Sequence, residues 1–174
     1  ERALWVGWFA VILVWLGQPL LVGATVTTPG LALWPGLLGD VSFWPGLGLV
    51  FLGYAGTLWT YAAMGTTWRI GIDRKEKTAL VCHAPYRPVR HPSYGFQIMV
   101  LAGAALLLPT PVSFAALALH YVCVLIKARD EERHLTAVHG ESYRHYLSGT
   151  GSLFPRLIRR RAAARGPAVP GVDF

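Results

Sequence analysis

Residues 84–94 read A-P-Y-R-P-V-R-H-P-S-Y, placing two arginines, a histidine and two tyrosines directly before an uncharged run. A second dense cluster, K-A-R-D-E-E-R at Lys127 to Arg133, follows the next apolar run. The chemistry on offer is mixed. Glu131 and Glu132 can accept hydrogen bonds from a cationic or hydroxyl-rich ligand, and Arg90 and Arg129 can orient an acidic group through paired donors. Tyr86 and Tyr94 offer aromatic faces to a flat ring or a cation. His91 is the side chain best placed to take a proton near neutral pH. A plainer account exists for each cluster. Lys127 with Glu131 and Asp130 with His134 are spaced i, i+4, as in salt-bridged decoration of a helix. Arg87, Arg90 and His91 have the character of lipid-headgroup anchors. Adjacent glutamates under a basic, headgroup-facing boundary oppose anchoring, however, and make sense where a ligand needs acceptors.

Four uncharged runs must position these clusters: residues 4–22, 41–65, 94–108 and 112–126, the last two joined by Pro109-Thr110-Pro111. With 53% apolar and 14% charged residues in a chain of 174, too little polar surface remains to cover four such runs in water. The first two are long enough to cross a hydrocarbon core of roughly 30 Å at about 1.5 Å per residue. The last two fall short of the ~20 residues of a clean crossing. They predict a tight hairpin whose cytosolic end is completed by more polar helix. The fold expected is all-α: a single polytopic membrane domain of about four transmembrane helices with a cytosolic catalytic face. Residues 31–39 are too short to span and are expected in the outer interface, with Trp34 as an anchor.

Basic residues set the orientation. Arg69, Arg74, Lys75, Lys77, Arg87 and Arg90 lie between the second and third runs, and Lys127, Arg129, Arg133, Arg144 and Arg156 follow the fourth. Residues 23–40 contain no Lys or Arg. Positive-inside counting places both termini and the 66–93 loop in the cytosol. The first run is too long, and lacks a small-residue cleavage site, to read as a signal peptide. The basic tail from 156 to 174 reads as a surface anchor. Cys82 and Cys123 form no C-x-x-C pair, and His134 and His139 are spaced i, i+5 with no H-E-x-x-H, so neither a redox motif nor a zinc site is indicated. No nucleic-acid partner is expected. Gly46, Gly48, Gly53 and Gly56 inside the second run suit close helix packing. His120, seven residues or roughly 10 Å from Lys127, is expected as a neutral histidine hydrogen-bonded between helices, with Gln97 as a possible partner.

The ordered set P-Y-R (85–87), R-H-P-S-Y (90–94), A-R-D-E-E-R-H-L (128–135) and H-G-E-S-Y-R-H-Y (139–146) resembles the integral-membrane methyltransferases related to isoprenylcysteine carboxyl methyltransferase and phospholipid N-methyltransferase. The terminal T-G-S-L-F-P-R-L fits bacterial members, which implies a bacterial inner membrane. The resemblance covers roughly residues 68–157. It implies a pocket for S-adenosylmethionine between the R-H-P-x-Y region and the E-E helix, beside an opening toward lipid. Carried over by position, that pocket uses Tyr86, His91, Tyr94, Glu131 and Glu132. Three residues depart from the family pattern. Ala84 stands where glycine usually precedes Pro-Tyr, and a positive φ there would carry a cost. Phe96 stands where glycine is favoured, with Gly95 one place early, and Lys127 replaces an arginine, losing its planar fork.

Methyl transfer to an already ionised carboxylate or thiolate needs no base, so positioning and desolvation would be the main contribution of the protein. An amine acceptor must lose a proton, which His91 would take. Arg90 and Arg129 are expected to orient an acidic acceptor. The sequence therefore predicts S-adenosylmethionine-dependent methylation of a lipid-like or small hydrophobic acceptor, with Arg90, His91 and Arg129 catalytic. The competing readings are an NADPH-dependent membrane sterol or steroid reductase, whose known examples are longer, and a non-catalytic scaffold, which has no use for twin glutamates.

Overall fold

A computed structural model describes residues 2–24, 40–65 and 81–156. The expected interfacial segment around Trp34, the basic residues from Arg69 to Lys77 and the tail beyond Arg156 lie outside the described residues. Five α-helices account for nearly all of it: α1 (Arg2–Ala24), α2 (Phe43–Met64), α3 (Pro92–Leu107), α4 (Pro111–His139) and α5 (Glu141–Gly149). There is no strand among the described residues, so the all-α expectation holds.

Local chemistry explains the helix ends. A 3-10 turn at Asp40–Ser42 leads into α2, and Gly65, at φ 51°, stops it in the left-handed conformation that glycine adopts freely. Proline occupies the first position of both α3 and α4, where its missing N–H is no loss. Thr110 caps α4 by accepting from the Ser113 amide at 3.1 Å. Gly140, at φ 56°, then separates α4 from α5. The helix α4 is one continuous element of 29 residues, about 44 Å long at ~1.5 Å per residue. The apolar fourth run and the charged K-A-R-D-E-E-R cluster thus share a single helix, as the hairpin expectation required.

The chain divides into two compact units, residues 1–55 with 96–127 and residues 56–95 with 128–174. In the first, α2 and α3 approach so closely that side chains are excluded. A Cβ on Gly53 would lie 2.7 Å from the Phe96 carbonyl oxygen, and one on Gly103 would lie 2.6 Å from that of Gly46. Gly48 faces open space, so the close-packing role expected of these glycines falls on Gly46 and Gly53, with Gly103 opposite. Helix α1 meets α4 at Gly7, beside the Cys123 sulfur, and at Trp8, whose ring stacks on His120 at 6.3 Å. His120 is buried, yet its Nε2 has no hydrogen-bond partner among the described residues, so the bond expected of it is absent at that nitrogen.

Large apolar side chains face outward in both units: Phe9, Leu13, Leu16, Phe51 and Leu52 in the first, Leu58 and Trp59 in the second. Helices α2 and α4 are long and apolar enough to cross a membrane. The shorter apolar helices are Trp5–Gly17 within α1, and α3.

Candidate functional site

The second unit carries the chemistry. Its centre is the junction between residues 81–95, the charged part of α4, and α5 with the segment after it. Two extended stretches meet there: Val89 forms a parallel bridge with Gly151, the Arg90 amide donates to the Gly151 carbonyl at 2.9 Å, and the His91 amide donates to that of Ser152 at 3.0 Å. Gly151 has no room for a side chain, because the backbone of Phe154 folds back over it. Gly95 is less confined: a Cβ there would lie 3.2 Å from the Leu153 carbonyl oxygen, close enough that a side chain would press on that backbone. Beneath this junction Cys82, Tyr143 and Tyr146 form a buried cluster, flanked by Leu135 and Leu147. The Tyr146 hydroxyl donates to the Tyr86 carbonyl and ties α5 to the 3-10 turn Ala84–Tyr86.

That turn is where the departure at Ala84 becomes visible. Ala84 has φ 51°, the only non-glycine with positive φ among the described residues. Its Cβ makes this conformation costly, by about 1 kcal/mol or somewhat more. Holding Pro85 and Tyr86 in place therefore demands a backbone conformation that glycine would adopt without strain.

Arg90, His91, Tyr94, Glu131 and Glu132 converge in one ion network. The Arg90 guanidinium donates from Nε to Glu132 Oε1 at 2.9 Å, and from a terminal nitrogen to the carbonyls of Thr150 and Leu147. It thereby binds a carboxylate on α4 and also satisfies the open carbonyls at the end of α5. His91 lies between the two glutamates, with Nδ1 3.4 Å from Glu131 Oε2 and Nε2 3.2 Å from Glu132 Oε1. The Tyr94 hydroxyl donates to Glu131 Oε1 at 2.7 Å, and its ring stacks on the His91 ring at a centroid separation of 5.5 Å. Ser152 adds a third donor to Glu132 Oε1 at 3.3 Å. Both oxygens of Glu131 are engaged, whereas Glu132 concentrates its partners on Oε1 and leaves Oε2 without one among the described residues. The carboxylates keep about a quarter of their side-chain surface open (24% and 22%), while His91 keeps 6%.

Electrostatics follow the geometry. The His91 hydrogen bond, with Arg90 alongside, outweighs partial burial and holds the Glu132 carboxyl down at about 2. Burial alone would lower the His91 pKa, but the hydrogen bonds and charges of Glu131 and Glu132 together reverse that and raise it. Burial pushes the Tyr86 phenol up to about 12, helped by the Glu131 charge and by Tyr61. Tyr86 thus stays neutral, an aromatic face beside the Tyr94 hydroxyl that donates to Glu131.

Five of the seven positions singled out around the two clusters come together here by direct contact, and Tyr86 joins through the field of Glu131. Arg129 does not join them: it is exposed and makes no ion pair or hydrogen bond among the described residues. Arg90, expected to orient an acceptor, has its Nε and one terminal nitrogen spent within the protein. The expected pairing of Asp130 with His134 gives way to a loose, exposed pair with Arg133 at 3.8 Å. Sequence reasoning missed Thr150, Ser152, Tyr143 and Tyr146 as parts of the framework. The T-G-S motif was the available signal, since a small residue between two short polar ones suits a tight turn against another backbone.

No group of three or more His, Cys, Asp or Glu among the described residues is arranged to hold a metal ion. No curated protein and no solved structure matches the chain. The phospholipid methyltransferase family matches residues 41–142, a stretch that begins at α2, takes in both charged clusters and ends in the first turn of α5. Since this match covers more than half of the chain and includes Arg90, His91, Tyr94, Glu131 and Glu132, the protein belongs to the phospholipid methyltransferase family.

Proposed function

We propose that this protein is an S-adenosylmethionine-dependent methyltransferase acting on a lipid-like or small hydrophobic acceptor at the cytosolic face of a membrane. The observation that carries the reading is the convergence of the twin glutamates with the R-H-P-S-Y residues, with Glu132 Oε2 left as an open acceptor. The donor set fits the cofactor: a carboxylate oxygen suits an α-ammonium or a ribose diol, and the neutral Tyr86 and Tyr94 rings suit adenine or a sulfonium. When bound, S-adenosylmethionine supplies an electrophilic methyl group whose sulfonium charge is lost as the acceptor takes it.

The protein's own residues bind, orient and exclude water. Glu132 is fixed by Arg90 and His91 and presents its free oxygen to the cofactor. Glu131, held by Tyr94 and His91, keeps the aromatic rings in register. Arg129, exposed and unpaired among the described residues, is the candidate for orienting an acidic acceptor, with Arg90 reaching one only through the terminal nitrogen left open. The outward apolar surfaces of α1, α2 and α4 favour an integral membrane setting. With the distribution of basic residues, they support four crossings with both termini cytosolic.

Calorimetry with purified protein tests the cofactor. Micromolar binding of S-adenosylhomocysteine is expected, and Glu132→Gln should weaken it at least tenfold, about 1.4 kcal/mol. Glu131→Gln should weaken it less, because neither Glu131 oxygen is open. Saturable NADPH binding with no heat from S-adenosylhomocysteine would replace the methyltransferase by a reductase.

A further inference from the structure

The two nitrogens of the His91 ring face carboxylate oxygens on both sides, at 3.4 Å from Glu131 and 3.2 Å from Glu132. A neutral imidazole always carries one nitrogen with a lone pair and no proton. Whichever tautomer formed, that lone pair would lie 3.2 or 3.4 Å from an anionic oxygen. Only the imidazolium, with a proton on each nitrogen, satisfies both. The other groups around the ring agree. Arg90, next in the chain, is a cation that opposes a second positive charge, but its Nε is paired with Glu132. From α3, Tyr94 stacks on the ring and donates to Glu131 rather than to His91. From α5, the Tyr143 phenol lies within the field of Glu132, Arg90 and Glu131, and burial keeps it neutral. Tyr86 and Tyr61 lie on the Glu131 side. The formal charges of Arg90, His91, Glu131 and Glu132 then cancel.

We propose that in the free protein His91 is an imidazolium clamped between Glu131 and Glu132, a built-in cation with which a positively charged ligand competes, so that binding such a ligand at the carboxylates releases a proton. The N–H bond broken is one of the two on His91, the electron pair stays on the ring nitrogen, and the proton goes to solvent. His91 is therefore a positioning residue for the two carboxylates, and it reaches the neutral state only after a cation has taken over part of their charge. The clamp itself stands on the geometry alone. The proton release rests also on the proposed cofactor, whose α-ammonium, kept in S-adenosylhomocysteine, is the competing cation.

Two measurements separate these parts. Histidine-labelled protein in detergent, with His91 assigned by its loss in His91→Asn, should show an imidazolium at pH 7 that titrates above the ordinary histidine range of ~6.5. Glu132→Gln should lower that midpoint by about one unit or more, and Glu131→Gln should move it the same way if the first variant fails to fold. A neutral His91 at pH 7 overturns the clamp. Calorimetric titration with S-adenosylhomocysteine in phosphate and in Tris should then give heats that differ by the release of up to one proton per ligand. In His91→Asn, whatever affinity it retains, the heats should no longer differ between the two buffers. Binding with equal heats in both buffers overturns the release. Absence of any binding sinks the proposed cofactor, and with it the release, and leaves the clamp to the spectroscopic titration.

Discussion

The two units of this chain are held by different physics, although α2, α3 and α4 each contribute to both. In the first, the contacts are backbone against backbone across glycines, with apolar side chains filling what remains. There is no hydrophobic drive between helices in lipid, so close dispersion contact is what the seam at Gly46, Gly53 and Gly103 supplies. In the second, the framework is a set of charge-assisted bonds that tie Arg90, Tyr94 and Ser152 to Glu131, Glu132 and the Thr150 carbonyl. Packing against glycine tolerates apolar exchange elsewhere but no added bulk at the seam. The polar network tolerates neither a lost partner nor a changed charge. A site that must meet charged ligands suits the second kind of structure, because there charged side chains hold fixed positions through directional bonds.

The largest effect expected is in the polar unit. Arg90→Ala removes the partner of Glu132 and uncovers the carbonyls of Thr150 and Leu147, so unfolding in detergent should be easier by about 3 kcal/mol or more. Arg90→Lys should recover only part of this, since an ammonium cannot serve Glu132 and the α5 carbonyls in the same planar arrangement. Full stability in both variants would mean the network is ornamental and the contrast between the units false. Next comes the apolar seam. Gly103→Val places atoms where the Gly46 carbonyl and the Val50 amide already lie, and should cost about 1–3 kcal/mol through helix displacement. Gly48→Ala, facing open space on α2, should leave thermal stability unchanged or slightly improved.

A pH series separates the units without mutation. Glu132 has its pKa lowered from 4.5 to about 2, so its contribution is complete above ~4.5 and disappears as pH falls toward 2. His91 has its pKa raised above 6.5, so its contribution is complete below ~6.5 and is lost as pH climbs through the folded value. The melting temperature should therefore plateau between these limits and fall on either side. Glu132→Gln should remove the acid limb, whereas Gly103→Val should shift the curve down without changing its shape. A smaller effect than at the network or the seam is expected at Ala84. Glycine there relieves the positive φ and should stabilise the protein by roughly 0.5–1 kcal/mol, while Ala84→Thr should destabilise it by a similar amount. Equal melting temperatures for all three would show that the turn carries no strain.

Much of the fold was legible because it is written in composition and spacing. Uncharged runs and the Pro109-Thr110-Pro111 joint announced the helices, and the polar completion of the fourth run appeared as the continuous α4. The two charged clusters and the likeness they carry to membrane methyltransferases led to the family in which the chain belongs. These are properties of residue type and order, which neighbours in the chain largely determine.

What lay beyond the sequence was the assignment of partners. The i, i+4 spacing on α4 suggested pairs within that helix, but Glu131 and Glu132 turn to Tyr94, His91 and Arg90, some forty positions earlier. Arg90 looked like a residue free to grip a ligand until the end of α5 took up its terminal nitrogen, and His91 looked like a base until a carboxylate appeared at each ring nitrogen. Residue type limits which bonds a side chain can make; which of them form depends on distances between segments far apart in the chain. The helices and the chemical vocabulary of the site therefore follow from the sequence by itself. The pairing of that vocabulary, and with it the protonation of His91 and the one open oxygen of Glu132, exists only once the tertiary structure has brought α3, α4 and α5 to the same place.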